Sequence, residues 1–149
     1  DVVARCWAMR DYITLSPGKL NDALATLALT HRAAISQRTQ AIVAANLATA
    51  DRWFAEHADL ASWNRPKAGL LALLRYHVDV PSSELANLLA EEYSVMLAPG
   101  SAFGFEGHLR IGVGQEPAVF AEGLARFQRC LEDRIAGGSA RLEPAPPGA

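Results

Sequence analysis

Few residues in this chain are placed to do chemistry. Only Lys19 and Lys67 are lysines, so nearly all cationic charge is arginine. His31, His57, His77 and His108 show no i, i+4 pairing and no HExxH, which argues against a metal site. Gly112-Val113-Gly114 begins like a dinucleotide fingerprint, but Pro117 stands where the third glycine belongs and no βαβ unit surrounds it. Ser16-Pro17-Gly18-Lys19 lacks the glycine spacing of a phosphate loop, and Ser101 is not framed as GxSxG. Glu91 and Glu92 point to different sides of a helix and read as a solvated face rather than an acid/base pair. Arg110 is the exception. The run His108-Leu109-Arg110-Ile111-Gly112-Val113 alternates, placing Leu109, Ile111 and Val113 on one face of a strand and His108, Arg110 and Gly112 on the other. A guanidinium presents a planar fork that fits a carboxylate bidentately, and a neighbouring glycine leaves space for another molecule. The commoner role of such an arginine is to keep a sheet face wet, and the strand alone does not choose between the two.

The elements that must position Arg110 follow from the spacing of apolar residues and the turn formers. Asp11 to Leu15 alternates and is expected to be extended. Ser16 is a good N-cap and Pro17 suits a first helical turn. From there Leu20, Leu24, Leu27, His31, Ile35, Ile42, Asn46 and Trp53 keep helical spacing, predicting one helix to about Glu56 or His57. Forty residues of helix span roughly 60 Å, several times the radius of gyration of about 15 Å expected for a domain of this size. Such a helix either kinks or overhangs its domain, and an overhanging apolar stripe needs a partner surface. Asp59 to Lys67 reads as a loop. The apolar run Leu70 to Val78, between Gly69 and Pro81, is a buried strand or a short helix. Ser82-Ser83 is expected to cap a helix to about Glu92, Val95 to Ala98 to form a short strand, and Ser101 to Gly107 a loop. Pro117 starts a last helix striped by Phe120, Leu124, Phe127 and Leu131, which Gly137-Gly138 ends. The fold class is α+β: a long N-terminal helix and further helices packed on a small, mostly antiparallel sheet.

Composition narrows the function classes. The 149 residues are one domain's worth, and 50% hydrophobic with 20% charged residues is enough to bury a core. A net charge of −2 with no basic run makes nucleic acid an unexpected partner. The longest apolar stretch, around Leu70 to Leu74, is too short to span a membrane. Cys6 and Cys130 match no metal or redox spacing, which reads as two free thiols in a reducing, cytoplasmic setting. The chain begins at Asp1 with no charged-then-apolar leader, so no signal peptide is read, and the lack of an initiator Met raises the expectation of a piece of a longer protein.

The order of features adds a further signal. Trp63-x-x-Pro66-x-x-Gly69 is followed by an apolar strand, then Ser83 to Glu92, then Pro99-Gly100-Ser101-Ala102-Phe103-Gly104, then Leu109-Arg110-Ile111-Gly112. This order resembles the C-terminal, small domain of class I/II aminotransferases, the fold-type I enzymes that use pyridoxal 5′-phosphate (PLP), over Arg10 to Arg134. Its most specific part is PGxxFG followed, after five residues, by RIG. The long helix after Ser16-Pro17 resembles the one that bridges the two domains of that family. Ser94-Val95-Met96 departs from the pattern, since the family carries a glycine and smaller residues before PG; the departure bears on substrate choice.

The resemblance implies that Arg110 binds the substrate's α-carboxylate. It also implies that Arg10, in the segment Met9 to Tyr12, reaches toward the active site of the neighbouring subunit of a homodimer and helps select the substrate side chain. Residues 1–15 would enter from a large domain, residues 16–136 form the small domain, and residues 137–149 are a loose tail. In the family the PLP-bearing lysine sits in an SK…GxRxG context, with an aspartate on the pyridine nitrogen and residues that cradle the phosphate. Lys19 and Lys67 sit in neither context, so no catalytic or cofactor-binding residue is expected in this chain, and by itself it is expected to be inactive. The complete protein would move an amino group between an α-amino acid and a 2-oxo acid. Rival readings are a fold-type I lyase or cyclase, the aminotransferase-like effector domain of a GntR-type transcription regulator, and a free-standing interaction domain.

Overall fold

The computed structural model describes residues 1–13 and 18–138. The chain divides into two compact units, Asp1–Arg38 and Thr39–Ala149.

The first unit is helical. Helix α1 spans Val2–Ile13, where the sequence suggested extended chain from Asp11 onward. The Asp1 carboxylate accepts the Val3 N–H at 3.0 Å, and Ala4, Arg5, Ala8, Met9 and Arg10 are strong helix formers that outweigh the short alternation. Thr14 and Leu15, and the expected Ser16-Pro17 helix start, lie outside the described residues. Helix α2 runs Lys19–Thr30 and helix α3 Arg32–Glu56, so the single predicted helix is interrupted at His31. Backbone bonding still bridges the break: His31 N–H reaches the Leu27 carbonyl at 3.1 Å and Ile35 N–H the His31 carbonyl at 3.2 Å. The Thr30 hydroxyl donates to the Thr26 carbonyl at 2.9 Å, a back-bond that competes with the helical ladder and bends helices. Helix α2 buries none of its residues.

The second unit is an α+β layer. Four antiparallel strands, β1 (Ala61–Trp63), β2 (Leu71–Tyr76), β3 (Ala98–Pro99) and β4 (His108–Gly112), lie in the order β1-β2-β4-β3. Ala72, Leu74, Tyr76, Leu109 and Ile111 turn one face into a core shared with Ala50, Trp53 and Phe54 of α3, Leu85, Ala86 and Leu89 of α4 (Ser82–Glu92), and Phe120, Leu124, Phe127 and Leu131 of α5 (Pro117–Ala136). Trp53 meets Phe54 edge-on and Phe127 at a tilt, and Phe54 stacks on Trp63.

Three expectations are corrected in this unit. The loop Asp59 to Lys67 contains strand β1, whose three residues are too few to show alternation and which pairs Ala61 with Tyr76 and Trp63 with Leu74. The strand expected over Val95 to Ala98 shrinks to Ala98–Pro99. Residues before it are spent ending α4: Ser94 adopts φ 55, and the N–H groups of Tyr93 and Val95 both reach the Leu89 carbonyl, at 3.2 and 2.9 Å. Ser82 does not cap α4; Pro81 holds the cap position, and the Glu106 carboxylate accepts the Ser82 N–H at 2.6 Å. The ambiguous run Leu70 to Val78 resolves as strand β2, and α5 starts and stops as expected. Its N-terminus is capped by Glu116, which accepts from Ala118 at 2.9 Å and Val119 at 3.2 Å, and Gly137 closes it. The expected tail falls, from Ser139 onward, outside the described residues.

Candidate functional site

Strand β4 is central, and its register fixes what surrounds Arg110. Arg110 pairs with Leu73 of β2 on one side and Ala98 of β3 on the other. Directly paired residues share a face, so Leu73, Arg110 and Ala98 form a row on the side of the sheet away from Leu109 and Ile111. All three are half-buried. The alternation read from the sequence thus places the guanidinium on the open face. There its carbon lies over the Phe103 ring, 4.4 Å from the ring centre. Among the described residues, no carboxylate takes a hydrogen bond or ion pair from Arg110; the side-chain ion pairs are Arg65–Asp51, Arg126–Glu122 and Arg134–Glu84. A fork with its edge open and one face covered is suited to binding an external anion.

The space expected in front of Gly112 is not free. A Cβ there would lie 2.9 Å from the Gln115 amide nitrogen, so the Gln115 side chain closes over the glycine. Gln115 is held in turn by Asn46 of α3, fully buried, which donates to the carbonyls of Val113 and Gln115. Asn46 is a polar residue in a mostly apolar stripe, and its tie to the end of β4 accounts for its place there.

Arg10 belongs to the first unit. It is exposed on α1, and its guanidinium carbon lies 5.2 Å from the Trp7 ring centre. Lys19 opens α2 and Lys67 follows β1; both are exposed. A lysine that bears PLP works beside a phosphate cradle and a carboxylate on the ring nitrogen.

Two thiols and one buried imidazole remain. Cys6 is exposed, whereas burial pushes the Cys130 thiol up to about 11, leaving it protonated and inert at neutral pH. His77 is buried with its Nε2 3.1 Å from the Ser62 hydroxyl. A groove of about 590 Å³ lies between Val95, Met96 and Leu97, the end of β4 and the first half of α5. Its wall includes the segment where the sequence departs from the aminotransferase pattern. Its charged groups, Glu122 and Arg126, pair with each other at 2.8 Å, and it offers no acid/base pair. Among the described residues no helix is long and apolar enough to cross a membrane.

No protein-family model matches the chain. Over 137 residues, 92% of the chain, the sequence is 26% identical to a capreomycidine synthase of Streptomyces vinaceus. The fold superposes on a PLP-dependent aminotransferase from Streptococcus suis with a TM-score of 0.80 and 32% identity, over 83% of this chain. It also superposes on the PLP-dependent cyclase OrfR with a TM-score of 0.77 and 29% identity, over 85% of this chain. The chain spans about a third of the length of these proteins, 35%, 33% and 35% respectively. The chain resembles the small domain of fold-type I, PLP-dependent aminotransferases.

Proposed function

We propose that this chain is the small-domain portion of a PLP-dependent aminotransferase that exchanges an amino group between an α-amino acid and a 2-oxo acid, and that Arg110 binds the α-carboxylate common to both. The observation that supports this is the Arg110 guanidinium itself. It stands on the open face of the central strand, over Phe103, with no carboxylate of its own chain bonded to it among the described residues. Binding the carboxylate through two parallel N–H bonds from one edge of the fork fixes the substrate's orientation and aims its Cα–H in one direction; the contribution is orientation, not proton transfer. PLP, when bound, supplies the electron sink for charge developing at Cα. Its lysine, aspartate and phosphate cradle belong to a large domain that this chain does not contain, so the chain alone does not transaminate. In this reading the complete protein is a homodimer in which Arg10 reaches the partner's substrate and selects its side chain. The test is to replace Arg110 in the complete protein and compare an amino acid with its decarboxylated amine.

The 29%-identical OrfR and the 26%-identical capreomycidine synthase favour a second reading, a PLP-dependent cyclase using the same carboxylate anchor. Product analysis separates the two. Transamination exchanges the amine for a carbonyl oxygen and needs an acceptor 2-oxo acid, whereas ring closure retains the amine nitrogen and proceeds without one.

A further inference from the structure

Phe103 reaches Arg110 from a loop rather than from the sheet, so its position depends on how that loop is held. The residues Gly100–Phe103 form one 3-10 turn between β3 and β4. Gly100 is buried, and a Cβ on it would collide with the Phe105 carbonyl oxygen and lie 2.6 Å from that of His108, so the backbone packs on itself there with no room for a side chain. The Phe105 N–H returns to the Gly100 carbonyl at 2.9 Å. From outside, the first turn of α4 clamps the loop at both ends. Ser101 N–H donates to the Ser82 hydroxyl at 3.1 Å, and one Glu106 oxygen accepts from Ser82 N–H at 2.6 Å and from Gly107 N–H at 3.2 Å. Gly104, at φ 79, lets the chain reverse directly after Phe103. The ring is thus presented to Arg110 by a braced turn.

We infer that Phe103 is a positioning residue for Arg110, an inference that rests on the carboxylate role proposed above. The ring pins the plane of the guanidinium and so decides which edge of the fork faces an arriving carboxylate. A long arginine side chain gives up rotamer freedom when it takes a ligand; one already held against a ring has given it up beforehand and binds more tightly for that reason. Contact with a ring also uses the face of the guanidinium and leaves every N–H donor available.

The test uses the 149-residue chain labelled with ¹⁵N, following the Arg110 Nε–H resonance and the backbone amides of β4 while pyruvate is added, with acetamide as the neutral control; the backbone amides report binding in variants that lack Arg110. Pyruvate, but not acetamide, should move that resonance, and Arg110→Ala should abolish binding. Phe103→Leu keeps apolar bulk but has no π face. It should remove the ring-current displacement of the resonance and weaken pyruvate about two- to five-fold, the size of an exposed cation–π contact. Phe103→Met serves as a second non-aromatic variant should the leucine disturb the loop. Phe103→Tyr and Phe103→Trp should restore both the displacement and the affinity, which a purely structural role would not require. Unchanged pyruvate affinity in the leucine and methionine variants, with binding lost in Arg110→Ala, overturns the role of Phe103 alone. Equal binding by wild type and Arg110→Ala overturns the carboxylate reading and this inference with it.

Discussion

The side-chain amide of Asn46 donates to the Gln115 carbonyl at 2.8 Å, joining α3 to the turn after β4. The same nitrogen also serves the Val113 carbonyl at 3.1 Å. Gln115 in turn covers Gly112 beside Arg110, so a buried residue far from Arg110 in sequence shapes the edge of its face. Asn46→Ala removes the donor from two carbonyls and should cost about 1–3 kcal/mol of stability. Asn46→Leu, which would complete the apolar stripe, should not recover the loss, because the carbonyls still lack a donor. Urea unfolding measures both variants, and a leucine variant as stable as wild type would contradict this account.

Much of this architecture was legible in the sequence, and the gaps have physical causes. The alternation around Arg110 gave β4 and its open face, and the Pro117 and Gly137 punctuation gave α5. Strand β1 was missed because three residues cannot display a period of two, and β3 was overdrawn because Val95 serves the end of α4. Helix α1 is hidden in the sequence because the short alternation from Asp11 to Leu15 follows directly on helix formers and masks their signal. At the site, Arg110 was legible, but its contact with Phe103 was not. That contact depends on a loop path set by Gly100, Ser82 and Glu106, three residues brought together only by folding. The filling of the space over Gly112 by Gln115 was hidden for the same reason.

Stability should decline on acidification in two windows. His77 is buried, and burial holds its pKa below the usual 6.5; the backbone at Asp59 and Ala58 and the Asp59 carboxylate pull the other way, while Arg75 adds to the lowering. The unfolded chain therefore binds the proton more readily. The contribution of neutral His77 is complete above 6.5 and is lost as pH falls through the depressed value. Glu106 has the same sign at lower pH. The N–H groups of Ser82 and Gly107 hold its carboxyl below 4.5, so its contribution is present above 4.5 and disappears as pH falls through the depressed value. His77→Gln keeps a partner for Ser62 without titrating. Denaturant midpoints from about pH 7.5 to pH 3 should show a shallower decline for that variant above about pH 5, with the lower window unchanged. Parallel profiles for the two proteins would remove His77 as the cause.

The chain alone should bind no PLP at a defined site. Lys19 and Lys67 are both exposed, and free lysines of this kind react weakly and without saturation. Adding PLP should give no saturable visible band and no keto-acid product from amino acids. A stoichiometric band that vanished on Lys19→Arg or Lys67→Arg would show that one of these lysines has a site after all.

Helix α2 should make the chain self-associate. Leu20, Leu24 and Leu27 lie on one face and are 73%, 55% and 57% exposed, and no residue of the helix is buried. Contiguous bare apolar surface drives association. Sedimentation velocity should show species larger than a monomer, and Leu20→Glu, Leu24→Glu and Leu27→Glu together should return the chain to a monomer while preserving helix content, since glutamate is a good helix former. A wild-type chain that sediments as a monomer and binds no hydrophobic dye would count against this.

Replacement of Arg110 in the complete protein gives the most direct reading of its role. A bidentate, charge-assisted pair is stronger than a neutral hydrogen bond, and a lysine ammonium cannot reproduce its geometry. Losing one partner of a buried charged pair costs on the order of 2–5 kcal/mol, which is roughly thirty-fold to several thousand-fold in kcat/KM at about 1.4 kcal/mol per decade. Arg110→Ala and Arg110→Lys should both show a loss in this range with every amino acid substrate, because all carry the α-carboxylate. The loss should be much smaller with the decarboxylated amine, which has nothing for the guanidinium to hold. Arg10→Ala should change which side chains are accepted and leave recognition of the shared carboxylate largely intact. Equal losses of Arg110 variants on acid and amine would assign Arg110 to the fold rather than to the carboxylate. No loss on either would place the anchor elsewhere.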